Sequence, residues 1–179
     1  TASGPSLSKT INSSISGLII TVTGSDGDAI LNENNDKVNP SEQGWAVDDN
    51  QIDRAESITF SFNQAVNQFS FVANGFTGSP NDGADAGTAG DVGLTIRVYY
   101  DAAKTVFEDF SNVNVNSGET VQVANLTGFG MTVGSTTYNS FYAVNVLSDT
   151  SQDSNDGFRL NNVTVTKFSS VPPADLDYS

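Results

Sequence analysis

Ser57-Ile58-Thr59-Phe60-Ser61-Phe62, followed closely by Phe69-Ser70-Phe71-Val72-Ala73, decides how this chain is read. Apolar side chains fall at every second position, so Ile58, Phe60 and Phe62 share one face while Ser57, Thr59 and Ser61 share the other. That is the signature of a strand with one buried face. The same period recurs on either side. Leu18, Ile20 and Val22 alternate with Ile19, Thr21 and Thr23, and the apolar Ile19 predicts burial on both sides or a central place in a sandwich. Leu94, Ile96, Val98 and Tyr100 alternate with Thr95, Arg97 and Tyr99, so the two adjacent tyrosines face opposite ways. Val121 and Val123 mark a short strand after the Asn-Ser-Gly turn at 116–118. Phe141, Ala143 and Asn145 alternate with Tyr142, Val144 and Val146. Val163 and Val165 carry the last strand, with Phe168 near its end. No segment carries a helical stripe. Strands rich in β-branched and aromatic residues, separated by Asn, Gly, Ser and Asp, predict an all-β domain: an antiparallel β-sandwich of about 8–10 strands.

The connections are unusual. Residues 24–56, 75–91 and 148–157 show no clear strand, and structureless connections of that length are rare unless they are functional or ordered by a ligand. They also hold most of the acid. Fifteen of the 21 carboxylates lie in three Gly/Asn-rich stretches: Asp26, Asp28, Glu33, Asp36, Glu42, Asp48, Asp49, Asp53 and Glu56; Asp82, Asp85 and Asp91; Asp149, Asp153 and Asp156. Seven Lys and Arg serve the whole chain. Carboxylates this dense repel unless something neutralises them. Hard cations with oxygen ligands do so, and calcium suits flexible acidic loops. Several calcium ions, and long calcium-binding loops, are therefore expected.

Composition narrows the function. The net charge of −14 leaves nothing basic to neutralise phosphates, which argues against nucleic acid, and it disfavours anionic lipid. No apolar run approaches a membrane span, so no direct membrane insertion is expected. With no Cys there are no disulfides or thiolate sites, and with no His there is neither a Ser-His-Asp triad nor His-ligated zinc. An enzyme would have to rely on carboxylate, Tyr, Lys or Arg chemistry, and the carboxylates are already accounted for as metal ligands; no catalytic residue is assigned. Thr1-Ala-Ser-Gly-Pro5 reads as the middle of a longer protein, so a monomeric module of a larger chain is expected. Within it, residues 1–13 are a linker or edge segment, 14–170 the sandwich, and 171–179 a Pro-led extended tail.

The most specific local pattern is Val47-Asp-Asp-Asn-Gln-Ile-Asp-Arg-Ala-Glu56, in which Asp48, Asp49, Asp53 and Glu56 can converge on one cation while Ile52 anchors the loop in the core. Asp26 and Asp28 flank a Gly turn. Asp82, Asp85 and Asp91 would order the loop 79–91. Asp149, Asp153 and Asp156 lie in a run where nearly every side chain offers oxygen. These twelve are the candidate metal ligands. A bound ligand is expected to meet the loops through Asn81, Asp82, Asp85, Asp153, Asn155, Asp156 and Arg159. Trp45, the only Trp, is either a sugar-stacking platform or a core residue beneath the loop, and packing is the expected role.

The stretch Gly44-Trp-Ala-Val-Asp-Asp-Asn-Gln-Ile-Asp-Arg-Ala-Glu-Ser-Ile-Thr-Phe-Ser-Phe62 resembles a segment of giant calcium-dependent bacterial adhesins of the RTX type, where Gly-x-x-Val-x-Asp-x-x-Ile-Asp-x-x-Glu precedes a strand of alternating Phe. Gln68 to Phe76 and Leu94 to Asp101 fit as well, so the resemblance covers the central third of the chain. Size and acidic loops look most like the peptide-binding domain of such adhesins. The resemblance implies an extracellular, cell-surface, calcium-stabilised module that docks short peptides, especially free C-termini of proteins on a target cell. A calcium-dependent carbohydrate-binding module that takes glycans, and a spacer with purely structural calcium, are the alternatives.

Overall fold

The computed structural model describes residues 7–26, 37–41, 44–47, 52, 56–77, 92–115, 118–148 and 157–167. Among them the strands are β1 (Ser8–Asn12), β2 (Ile19–Ser25), β3 (Val38–Ser41), β4 (Gly44–Val47), β5 (Ser57–Val66), β6 (Gln68–Thr77), β7 (Val92–Tyr99), β8 (Phe107–Val115), β9 (Thr120–Gln122), β10 (Thr132–Val133), β11 (Thr136–Thr137), β12 (Phe141–Ser148) and β13 (Gly157–Thr166). A six-stranded sheet runs β1-β2-β5-β12-β7-β8 and a five-stranded sheet runs β3-β4-β13-β6-β9; β10 and β11 form a separate hairpin. Every pairing is antiparallel. The expected antiparallel sandwich is what the chain forms, with eleven strands in its two sheets among the described residues where about 8–10 were expected.

The inner faces meet through aromatic rings. Phe60 of β5 lies 5.0 Å from Phe69 of β6 and 5.9 Å, edge-on, from Trp45 of β4, so residues of one sheet pack on the other. Ile58, Phe60, Phe69, Phe71, Ile96, Val98, Val144 and Val146 are all fully buried. This is the alternation of the sequence turned into a core, as expected for two sheets with one polar face each. Trp45 is a packing residue. Tyr100 is buried and Tyr99 is not.

Three local readings change. Ile19 is 41% exposed, so β2 is buried on one face only. A bulge between Phe141 and Ala143 reverses the phase of β12: Phe141 points inward, but beyond it Val144 and Val146 do, and Ala143 lies on the outer face opposite Ser61 and Tyr99. The third concerns 24–56, which carries two short strands, β3 and β4, paired from Val38–Val47 to Ser41–Gly44. Residues 8–12 take the edge-strand role, with Ser8 to Asn12 paired to Thr23 to Ile19.

Candidate functional site

The strand directions bring the acid-bearing connections to one end of the sandwich. In the six-stranded sheet, Ser25 closes β2 opposite Ser57, which opens β5; Ser57 lies opposite Leu147 of β12, and Ser148 opposite Leu94 of β7. In the other sheet, Gly157 opens β13 opposite Thr77, which closes β6, and Val38 opens β3 opposite Val47, which closes β4. The two sheets are tied together at this end. Ile52 and Phe158 exchange backbone bonds of 2.7 and 3.1 Å, and four residues on the carbonyl of Glu56 accepts the amide of Ser148 at 3.1 Å. Thus 26–37, 48–56, 78–91 and 149–156 all start and finish here. They carry four, four, three and three carboxylates, fourteen of the chain's 21, against Lys37 and Arg54. Glu42, between β3 and β4, is not among them.

The motif that suggested a metal loop has clear structural parts. Gly44 sits at φ 129°, where a Cβ would stand 2.3 Å from Asn161 Oδ1 and 2.9 Å from the Leu160 carbonyl. Only glycine permits that approach of β4 to β13. Val47 and Ile52 are fully buried. Together with the Ile52–Phe158 bridge they carry the chain from β4 in one sheet to β5 in the other, across the acid-bearing end.

Of the candidate ligands, Asp26, Glu56 and Arg159 are among the described residues. All three are half-buried and stand beside this end, Asp26 just after β2, Glu56 just before β5, and Arg159 opposite Asn74 in the β13–β6 ladder. Each has an interaction partner. Asp28, Asp48, Asp49, Asp53, Asp82, Asp85, Asp91, Asp149, Asp153, Asp156, Asn81 and Asn155 lie outside the described residues, as does the tail 171–179. Among the described residues no cluster of three acidic side chains forms a metal site, and no helix is long and apolar enough to cross a membrane.

Sequence reasoning passed over a second group, on the outer face of β7 and β8. Arg97 grips Asp109 through Nε and Nη2 at 2.6 and 2.7 Å, and its guanidinium lies 4.3 Å from the centre of the Phe107 ring. Tyr99 packs against Phe107, and Lys104 reaches across to Ser61 at 2.9 Å. The bonds from Arg97 hold the Asp109 carboxyl below the usual carboxylate range, and burial lowers the Lys104 ammonium. Asp101 locks the β7–β8 turn by accepting from Thr105 N, Thr105 Oγ1 and Val106 N at 2.7 to 2.8 Å. These bonds, that to Val106 first, depress its carboxyl too. No sequence signal joins Arg97 to Asp109 until the β7–β8 register is known.

No protein-family model, curated protein or solved structure matches this chain.

Proposed function

We propose that this chain is a non-catalytic, calcium-dependent adhesion module of a large bacterial surface protein, working outside the cell on short peptides, with free C-termini of target-cell proteins as its ligands. One observation carries the reading: four connections bearing fourteen carboxylates begin and end at one end of a β-sandwich, with two basic residues among them. Coulomb repulsion between carboxylates on connections that share one end of the fold opposes folding, and divalent cations bound by carboxylate and carbonyl oxygens would relieve it. Several calcium ions would order the connections. One with an incomplete coordination shell would accept a ligand carboxylate, which a chain of charge −14 otherwise repels. The chemistry of the resemblance to RTX-type adhesins points the same way.

The test is a thermal melt of the chain in millimolar calcium, in excess chelator, and in magnesium. A ligand held at a hundred times its dissociation constant stabilises the fold by about 2.7 kcal/mol for each site. A large, calcium-specific rise in Tm supports the reading; equal melts in calcium and chelator sink it. For the ligand, a peptide with a free C-terminal carboxylate should bind more tightly than its amide, and equal affinities would remove the carboxylate capture.

A further inference from the structure

Among the described residues the sandwich has four edge strands, and they are not alike. β1 has five residues, β9 has three, and β3 has four including Pro40, whose missing N–H blunts an edge. Short strands and edge prolines are how β-proteins prevent unwanted pairing. β8 is nine residues long and, among the described residues, pairs only with β7. The amide of Tyr100 donates to the carbonyl of Val106 at 2.8 Å, which sets the phase of the β7–β8 ladder. Alternation then turns the backbone N–H and C=O of Phe107 and Asp109 away from β7, toward the open edge.

A groove runs beside that edge, between the two sheets. It consists of two cavities of about 290 and 440 Å³ that share Val113 and Leu126. Phe110, Val113 and Val115 of β8 form one wall, and Val121 and Leu126 the other. A strand added to β8 would send every second side chain between the sheets into these cavities. Among the described residues the charged groups lining the groove are Asp109, which is already paired with Arg97, and Glu119; no Lys or Arg lines it. On a chain of charge −14 this favours a basic partner.

We infer that the β8 edge is a docking site for an extended, basic peptide with apolar residues at alternate positions, added as a further strand of the six-stranded sheet. This rests on the reading of the chain as a peptide-binding module and gives that module a site built from none of the candidate calcium ligands, so the two can fail separately.

The experiment pans a displayed library of random decapeptides on the 179-residue chain. It then measures the selected peptide on wild type, Asp109→Pro and Asp109→Ala by fluorescence anisotropy, in calcium and in chelator. Both variants lose the Arg97 pair, but only proline removes the outward N–H. The selected peptides should carry alternate apolar residues and Lys or Arg. D109P should weaken binding at least tenfold relative to D109A, and the amides of Phe107 and Asp109 should gain hydrogen-exchange protection on binding. Val113→Glu, which charges the groove without touching the edge backbone, should weaken binding similarly while keeping a cooperative melt. A D109P to D109A ratio near one, selected peptides with no alternation, or no selected peptide at all would overturn the site. So would a concentration-dependent dimer abolished by D109P, which would make β8 an edge for a second copy. If the melt shows no calcium effect but the ratio holds, the calcium reading falls and the groove stands.

Discussion

Ile52 and Phe158 exchange both of their backbone hydrogen bonds, 2.7 and 3.1 Å, with Ile52 outside any regular strand and Phe158 the second residue of β13. This two-bond clasp joins the segment leading into β5 to the start of β13, so it couples one acid-bearing connection to the strand that follows another. Both side chains are fully buried, and the clasp is therefore held by the core rather than by the charges around it.

Truncating the clasp should show this. Ile52→Ala leaves a cavity in the core, and such changes cost about 2–5 kcal/mol. The urea midpoint should fall accordingly, both in calcium and in chelator. If calcium coordination depends on the geometry the clasp imposes, the calcium concentration at half-saturation of the Tm rise should also increase. A variant as stable as wild type would show that Ile52 is not an anchor.

Gly44→Ala tests the approach of β4 to β13. A non-glycine residue at positive φ costs roughly 1–3 kcal/mol, and the new Cβ would also meet Asn161 and the Leu160 carbonyl at less than van der Waals distance. The expected loss in chemical denaturation is therefore at least as large as the backbone figure. Gly44→Ala combined with Asn161→Ala should recover part of it, because Asn161 Oδ1 is the nearest obstacle at 2.3 Å. No recovery would assign the whole cost to the backbone.

What the sequence made legible divides along physical lines. Strands with clean alternation, such as Ser57–Val66 and Val92–Tyr99, announced both themselves and their buried faces. β8 did not: a register shift beyond Phe110 puts its next inward residues at Val113 and Val115, and no period of two survives that step. β3 was hidden because Asn39 and Pro40 read as loop, and an edge strand tolerates both. The acid-rich connections were visible as composition. Their meeting at one end was not, because it follows from strand order and direction, which no local window contains. Arg97 and Asp109 are twelve residues apart and meet through the register alone.

The Arg97–Asp109 pair should matter little for stability and visibly for acid titration. Both side chains are more than a third exposed, so solvent screens the pair and its worth is about 0.2–1 kcal/mol. Its bonds from Arg97 depress the Asp109 carboxyl. The carboxylate's contribution is therefore complete above its unfolded value of about 3.9 and is lost as pH falls through the lower folded value. The gap in urea midpoint between wild type and Asp109→Asn should close below pH 4. A gap that stays constant from pH 6 to pH 3 would deny the pair any role.

Tyr100 gives the opposite sign. Its hydroxyl donates to Glu108 Oε2 at 2.9 Å and accepts the Gly130 amide at 3.4 Å, and its ring packs against Phe129 and Tyr138 beneath the β10–β11 hairpin. Burial first, and the bond to Glu108 second, push the phenol up to about 12. The neutral form is thus favoured in the folded state. Its contribution is complete below the unfolded value of about 10 and is lost as pH rises from there through the folded value. Tyr100→Phe keeps the ring packing and removes the hydroxyl. At pH 8 it should cost about 1.5–3 kcal/mol, the range for a bond to a charged partner. Between pH 10 and 12 wild type should lose this advantage while the variant does not, because every other titrating group is common to both. Urea midpoints of the pair at pH 8, 10 and 11 measure that difference directly. A difference that does not narrow would mean the Tyr100 hydroxyl is not held neutral by the fold.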